Sequence, residues 1–340
     1  MLARSRLALA IAMVSALRAL AAHAQGLDLT VNHVGIAIGD VPRVTGLRLN
    51  YRDRNLEWVN GINATIWTPY DEGSGTVRGL ALGLPLTGAA RIDGIATGIL
   101  GAGARDRIRG LGVAPLGIGT GGTLEGVMVG GLGVGSGAGM TGIGVGGLGI
   151  GSGGPLRGVF VGGLGVGGGG SVDGIVIGGL GAGVGGHLRG LAIGGLGVGG
   201  GGSAEGIMIG GLGVGAGGEV TGLAIGGLGV GSGTRVHGLA IGGLGVGAPR
   251  IDGIAISALG AGAQDANGAL IAPWVKIEHG EMQGLTVGAF NQVRGLHHGL
   301  AIGIVNYAEE LQGVQVGVIN IARNNPSGAK VLPIVNAHFE

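Results

Sequence analysis

The chain has 340 residues, 89 of them Gly; 45% are hydrophobic, 11% charged and 3% aromatic, with no Cys and a formal net charge of +1. Nine Pro are too few for a collagen-like triple helix, and the apolar content excludes a charged disordered chain. Without Cys there is no disulfide framework, thiolate zinc site or cysteine nucleophile, and the near-neutral charge argues against a nucleic-acid partner.

Residues 1–24 have the pattern of a secretory signal peptide. Arg4 and Arg6 open it, Leu7 to Leu17 is an apolar run too short to span a bilayer, and Ala22-His23-Ala24 is an A-x-A cleavage pattern. Removing Arg4, Arg6 and Arg18 leaves 17 basic against 19 acidic residues, a mature charge of −2. The expected location is outside the cytoplasm: periplasm, outer surface or secreted. Residues 25–78 follow as an N-terminal cap of irregular strands, more polar than the rest, with Arg48, Arg52, Asp53, Arg54 and Glu57.

Residues 79–263 form a Gly-rich array. Gly-Gly-Leu-Gly begins at Gly130, Gly146, Gly162, Gly178, Gly194, Gly210, Gly226 and Gly242, each step 16 residues. One unit runs from Gly222 to His237. In it Leu223 and Ile225 alternate, as do Leu228 and Val230, while Val236 stands alone. Two-residue alternation of β-branched and aliphatic side chains is a strand signal. The step between the pairs is three, so a corner at Gly226-Gly227 is needed to turn both pairs inward. Gly231-Ser232-Gly233 supplies a second corner. The expected fold is all-β: a parallel β-solenoid of about 16 residues per coil with atypical capping segments at both ends. Eight of the nine aromatics lie outside this array, and only Phe160 lies within it.

The residue before each unit's first Gly selects the direction of stacking. In order these residues are Arg78, Asp93, Arg109, Glu125, Thr141, Arg157, Asp173, Arg189, Glu205, Thr221, His237 and Asp252. Fixed-charge neighbours are always of opposite sign. Parallel stacking places each beside its opposite, whereas an up-and-down sheet brings like charges together. The column is expected to be a solvated structural ladder without chemistry of its own.

The position between the first pair of aliphatics is read as outward: Met128, Phe160, Val176, Ala192, Met208, Ala224 and Ala240. Flanked by Gly, it would form a flat, weakly polar contact stripe. Its expected cover is a second copy, a cell-envelope component or the protein's own terminal segments.

Residues 264–340 carry degenerate copies, Gly284–Asn291, Gly299–Asn306 and Gly313–Asn320, each ending in an Asn able to bond turn backbone or stack in a ladder. Val331 to Asn336 reads as a final strand, with Pro333 discouraging further pairing. With its Val305-Asn306-Tyr307-Ala308 and Ile319-Asn320-Ile321-Ala322 segments, Gly299 to Asn336 resembles a bacterial family of uncharacterised surface-repeat proteins known from spirochaetes. Gly79 to Gly253 is similar to Gly-rich relatives of that repeat. The resemblance implies an exported or surface-exposed protein and brings no catalytic residues. This chain replaces most of the repeat's Asn and Gln with Gly.

Three groups look like chemistry. The Gly-Val-Gly-Ser-Gly near Gly229 lacks the following helix that a phosphate loop requires. His297 and His298, with His279 and Glu281, are the densest group of metal-ligand types, but adjacent strand residues point to opposite faces. Paired carboxylates for glycan cleavage need to lie about 5–10 Å apart, and Glu125 and Asp173 are three coils apart with partners between them. No catalytic residue, cofactor or metal is expected. The expected function is a non-enzymatic structural or interaction protein of the surface or envelope. The alternatives are an outer-membrane β-barrel and a glycan-binding or glycan-cleaving β-helix.

Overall fold

The computed structural model describes residues 26–70 and 73–339. The expected signal peptide lies outside the described residues. Among these, all regular structure is strand and no helix occurs. The chain divides into two compact units, one ending at Gly130 and one starting at Gly131. Each is a parallel β-solenoid with coils of about 16 residues.

In the first unit, Gly26–Val31 and Val34–Gly39 form an antiparallel hairpin. Its turn residues Asn32 and His33 both have positive φ, 52° and 65°, as a two-residue hairpin turn requires. From Val34 onward pairing is parallel. The strands Arg43–Asn50, Trp58–Thr65, Thr76–Gly83, Leu86–Gly98, Gly101–Ala114 and Thr123–Gly130 follow in register, and Gly35, Gly46, Gly61, Gly79, Gly94, Gly110 and Gly126 fall opposite one another. The parallel stack therefore begins well before Gly79. Only the hairpin departs from it. Of the polar residues that made this segment look irregular, Arg48 and Asp53 are inside, hydrogen-bonded to each other and to the buried Asn63, while Arg52 is half-buried and Arg54 and Glu57 are exposed.

The second unit has two columns of parallel strands. Long strands (Leu156–Gly162, Val172–Gly178, Leu188–Gly194 and their successors) pair one coil apart. Short strands such as Gly181–Val184 and Gly197–Gly200 do the same. The degenerate repeats continue the stack within Glu281–Ala322, and Val331–His338 closes it by pairing antiparallel. The Asn residues form an internal ladder: Asn291 Nδ2 donates to Asn306 Oδ1 and Asn306 Nδ2 to Asn320 Oδ1, each at 2.7 Å. All three are buried. Parallel pairing of successive coils in each unit rules out the up-and-down barrel, whose neighbouring strands alternate in direction.

The inside and outside of the long strands are the reverse of the sequence expectation. Met128, Phe160, Val176, Ala192, Met208, Ala224 and Ala240 are core residues, 2% exposed or less, not an outer stripe. Leu223 and Ile225 face outward and are only partly covered, and Leu228 is 50% exposed, while Val230 is buried. The reason is parity. Val220 is inside, and so are Ala224 and Gly226, an even number of residues further on, although Gly222 between them is exposed at a φ of 105°. The corner is tight: a Cβ on Gly226 would overlap the carbonyl oxygen of Gly229. With Gly226 turned in against that oxygen, the Leu223 and Ile225 columns face outward. The interior's own column trades volume between coils. A Cβ on Gly144 would lie 2.9 Å from Phe160 Cδ1, and one on Gly112 2.6 Å from Met128 Sδ. Phe160 and Met128 each occupy the space a glycine neighbour leaves, and Met208 lies between Ala192 and Ala224, as close packing of the interior requires.

Candidate contact face

Turning the core to the small residues leaves the large aliphatics outside. In the second unit the outward side of the long strands carries one column through Ile175, Leu191 and Ile207 and another through Ile177, Ile193 and Ile209. Beside them runs a column of corner leucines from Leu148 to Leu244, 48–51% exposed. Successive corner leucines are joined by backbone hydrogen bonds of 2.6–2.7 Å, such as Leu196 N–H to the Leu180 carbonyl. Because the coils are in register, these side chains form continuous ridges one coil spacing apart, about 4.8 Å. Soluble chains rarely leave contiguous apolar patches beyond a few hundred Å² uncovered, and larger ones mark contact sites. The short strands present the opposite texture: their outward positions Gly183, Gly199 and Gly215 carry no side chain.

The charge ladder borders the aliphatic ridges, two residues away across a positive-φ glycine. Its members are in register as expected: Arg78 with Asp93, Asp93 with Arg109, Arg109 with Glu125, then Arg157 with Asp173, Asp173 with Arg189, Arg189 with Glu205, and His237 with Asp252. Ion pairs form along most of it, at 3.5 Å for Arg109–Glu125, 3.8 Å for Arg157–Asp173, 3.5 Å for Arg189–Asp173 and 3.0 Å for Arg189–Glu205. Three members find other partners. Asp93 bonds Arg107 at 2.9 Å, and Asp252 is held by Arg235 and Arg250. Arg78 reaches Asn60.

The remaining candidates do not assemble. His297 is buried and His298 exposed, on opposite sides of their strand. Glu281 accepts a hydrogen bond from Gln283. Among the described residues no three His, Asp or Glu side chains come together as metal ligands. The glycine run at Gly229 is a short strand leading through a turn into Arg235–Gly242, with no helix to receive a phosphate.

Sequence reasoning missed the aliphatic face and the buried guanidinium of Arg48. A signal for the face was present. Each coil has an aliphatic two residues before its first Gly (Leu156, Val172, Leu188, Val220, Val236), and following parity from that position places the alternating small residues inside.

His297 gives a pH prediction. Burial lowers its pKa from 6.5 to about 4, and the charge on His298 adds to the shift. The folded ring stays neutral while the unfolded chain takes up a proton below pH 6.5. Stability contributed by this site is therefore full above pH 6.5 and is lost as pH falls toward 4, by up to about 3 kcal/mol. Urea unfolding of the parent and His297→Leu across this range is expected to show the parent losing stability relative to the variant on acidification. A constant difference would refute it.

Comparison of the chain with protein-family models, curated proteins and solved structures gave no match.

Proposed function

We propose that this is an exported, non-enzymatic structural or interaction protein of the cell surface or envelope, working by contact through the aliphatic face. The observation that carries the reading is the set of ridges from Leu148 to Leu244 and along Ile175–Leu191–Ile207, left open to solvent. The signal-peptide pattern of residues 1–24 supports export, and the likeness of Gly299–Asn336 to surface-repeat proteins points the same way. A rigid periodic ridge suits a long contact with a partner of matching flatness better than it suits enclosure of a small molecule.

The test combines fractionation and cross-linking in cells that make the protein. The parent chain is expected in the envelope or external fraction, with high-mass cross-linked species. The variant Leu180→Asp, Leu196→Asp, Leu212→Asp alters only half-exposed corner side chains. It is expected to keep its circular dichroism spectrum and lose most of those species. Retention in the cytoplasm, or cross-linking indifferent to the three changes, would overturn the proposal.

A further inference from the structure

The charge column beside the aliphatic face has a symmetry of its own. Through the second unit it reads Thr141, Arg157, Asp173, Arg189, Glu205, Thr221, in successive register. Read in reverse about the midpoint between Asp173 and Arg189, every charge meets its opposite: Arg157 falls on Glu205, Asp173 on Arg189, and Thr141 on Thr221. A two-fold axis through that midpoint, perpendicular to the stacking direction and lying in the contact plane, performs this reversal. It lays the aliphatic ridges of one copy on the same ridges of another, because each ridge returns to its own lateral position.

We propose that the occupant of the aliphatic face is a second copy of this chain, docked face to face and antiparallel about the axis between the Asp173 and Arg189 rungs. The proposal rests on the contact reading above and specifies its partner. The four charged side chains are 43–64% exposed along their length, so their outer atoms remain free to share with a partner. The area is adequate. Six strands about 4.8 Å apart and about 23 Å long cover roughly 650 Å² per copy, or roughly 1,300 Å² in all, within the range of stable specific interfaces. An apolar centre with a polar rim is the usual anatomy of such an interface. A lipid surface fits less well. The rim quartet has no net charge to draw anionic headgroups, and the ridges carry none of the Trp or Tyr that anchor proteins at a bilayer interface.

The experiment uses the purified full chain in sedimentation equilibrium. The parent is expected to dimerise. Two rim variants are compared, an acidic one (Arg157→Glu, Arg189→Glu) and a basic one (Asp173→Arg, Glu205→Arg). Each alone is expected to dimerise at least 10-fold more weakly, and an equimolar mixture to recover a heterodimer. Because the like-charge columns also strain each fold slightly, a second measurement leaves the rim intact. The chain has no Cys, so Ile175→Cys and Leu191→Cys single variants can be mixed and treated with a short bis-maleimide. In an equimolar mixture the 175–191 product is expected to exceed each of the 175–175 and 191–191 products by well over the factor of two that random pairing gives. Parent chain that stays monomeric, a dimer indifferent to the rim variants, a cross-link favouring like positions, or monomer that floats with zwitterionic vesicles would each overturn the proposal. Face-dependent cross-links to other envelope components, with a purified chain that stays monomeric, would sink self-pairing and leave the contact reading standing.

Discussion

Arg48→Ala is expected to cost about 3–5 kcal/mol, because it leaves the buried carboxylate of Asp53 and the half-buried one of Asp40 without their cation. The Arg48 side chain is 0% exposed. Its Nη1 donates to Asp53 and, at 2.9 Å, to Asn63; Nη2 donates to Asp40 at 3.0 Å and Nε to the Val41 carbonyl at 2.8 Å. Asp53 is also buried and takes a further hydrogen bond from Asn50 at 2.6 Å. The guanidinium thus ties the loop after the hairpin to two successive coils. Arg48→Lys keeps the charge but lacks the planar fork, so it is expected to recover only part of the loss. Urea unfolding monitored by tryptophan fluorescence is suited to the measurement, since Trp58 and Trp67 lie in the same unit. A loss below about 1 kcal/mol for Arg48→Ala would show that the cluster relaxes or hydrates, contrary to this account.

Gly190→Ala is expected to be among the most damaging single-methyl additions in the array, while Gly183→Ala, one strand earlier in the chain, is nearly silent. Gly190 has φ near +120°, a region that costs an L-residue about 1–3 kcal/mol. Its added Cβ would also overlap the carbonyl oxygen of Gly174 in the preceding coil. That oxygen is backbone within the parallel ladder and can move only by opening the pairing of the two coils. A total loss above about 3 kcal/mol is expected. At Gly183 an added Cβ meets nothing within 4 Å and the backbone is not in the left-handed region. A change within about 0.5 kcal/mol is expected there. Thermal unfolding of the two variants side by side tests the claim. Equal melting temperatures would show that the glycine column is compositional and not steric.

The contrast shows how much of the fold could be read from residue order. The parallel direction of stacking follows from Arg157, Asp173, Arg189 and Glu205, because the sign of a charge beside its neighbour depends only on how coils are laid together. The Asn ladder at Asn291, Asn306 and Asn320 was legible for a similar reason: spacings of 15 and 14 residues, close to one coil, bring like residues together. The opposed faces of His297 and His298 needed only strand geometry. Of the candidate site, the rim was legible and the ridges were not. Leu223 and Ile225 look like core residues by hydrophobicity, and Ala224 between them looks like surface. The buried Arg48 was equally unreadable, since its partners Asp40, Asp53 and Asn63 are brought around it only by the winding of the first coils.

The sequence by itself determined the period of the coil, the direction of stacking and the register between neighbours, because each of these is a comparison of one repeat with the next. It did not determine which side of the long strand is the inside. Alternation defines two faces and labels neither. That choice fell to the tertiary structure, where Gly226 closes against the carbonyl of Gly229 and the inward column at Ala224 is filled by alanine, valine, methionine or phenylalanine. The Leu223 and Ile225 columns were left on the outside, and the contact face is the consequence, while Leu156 and Leu188 lie in the core.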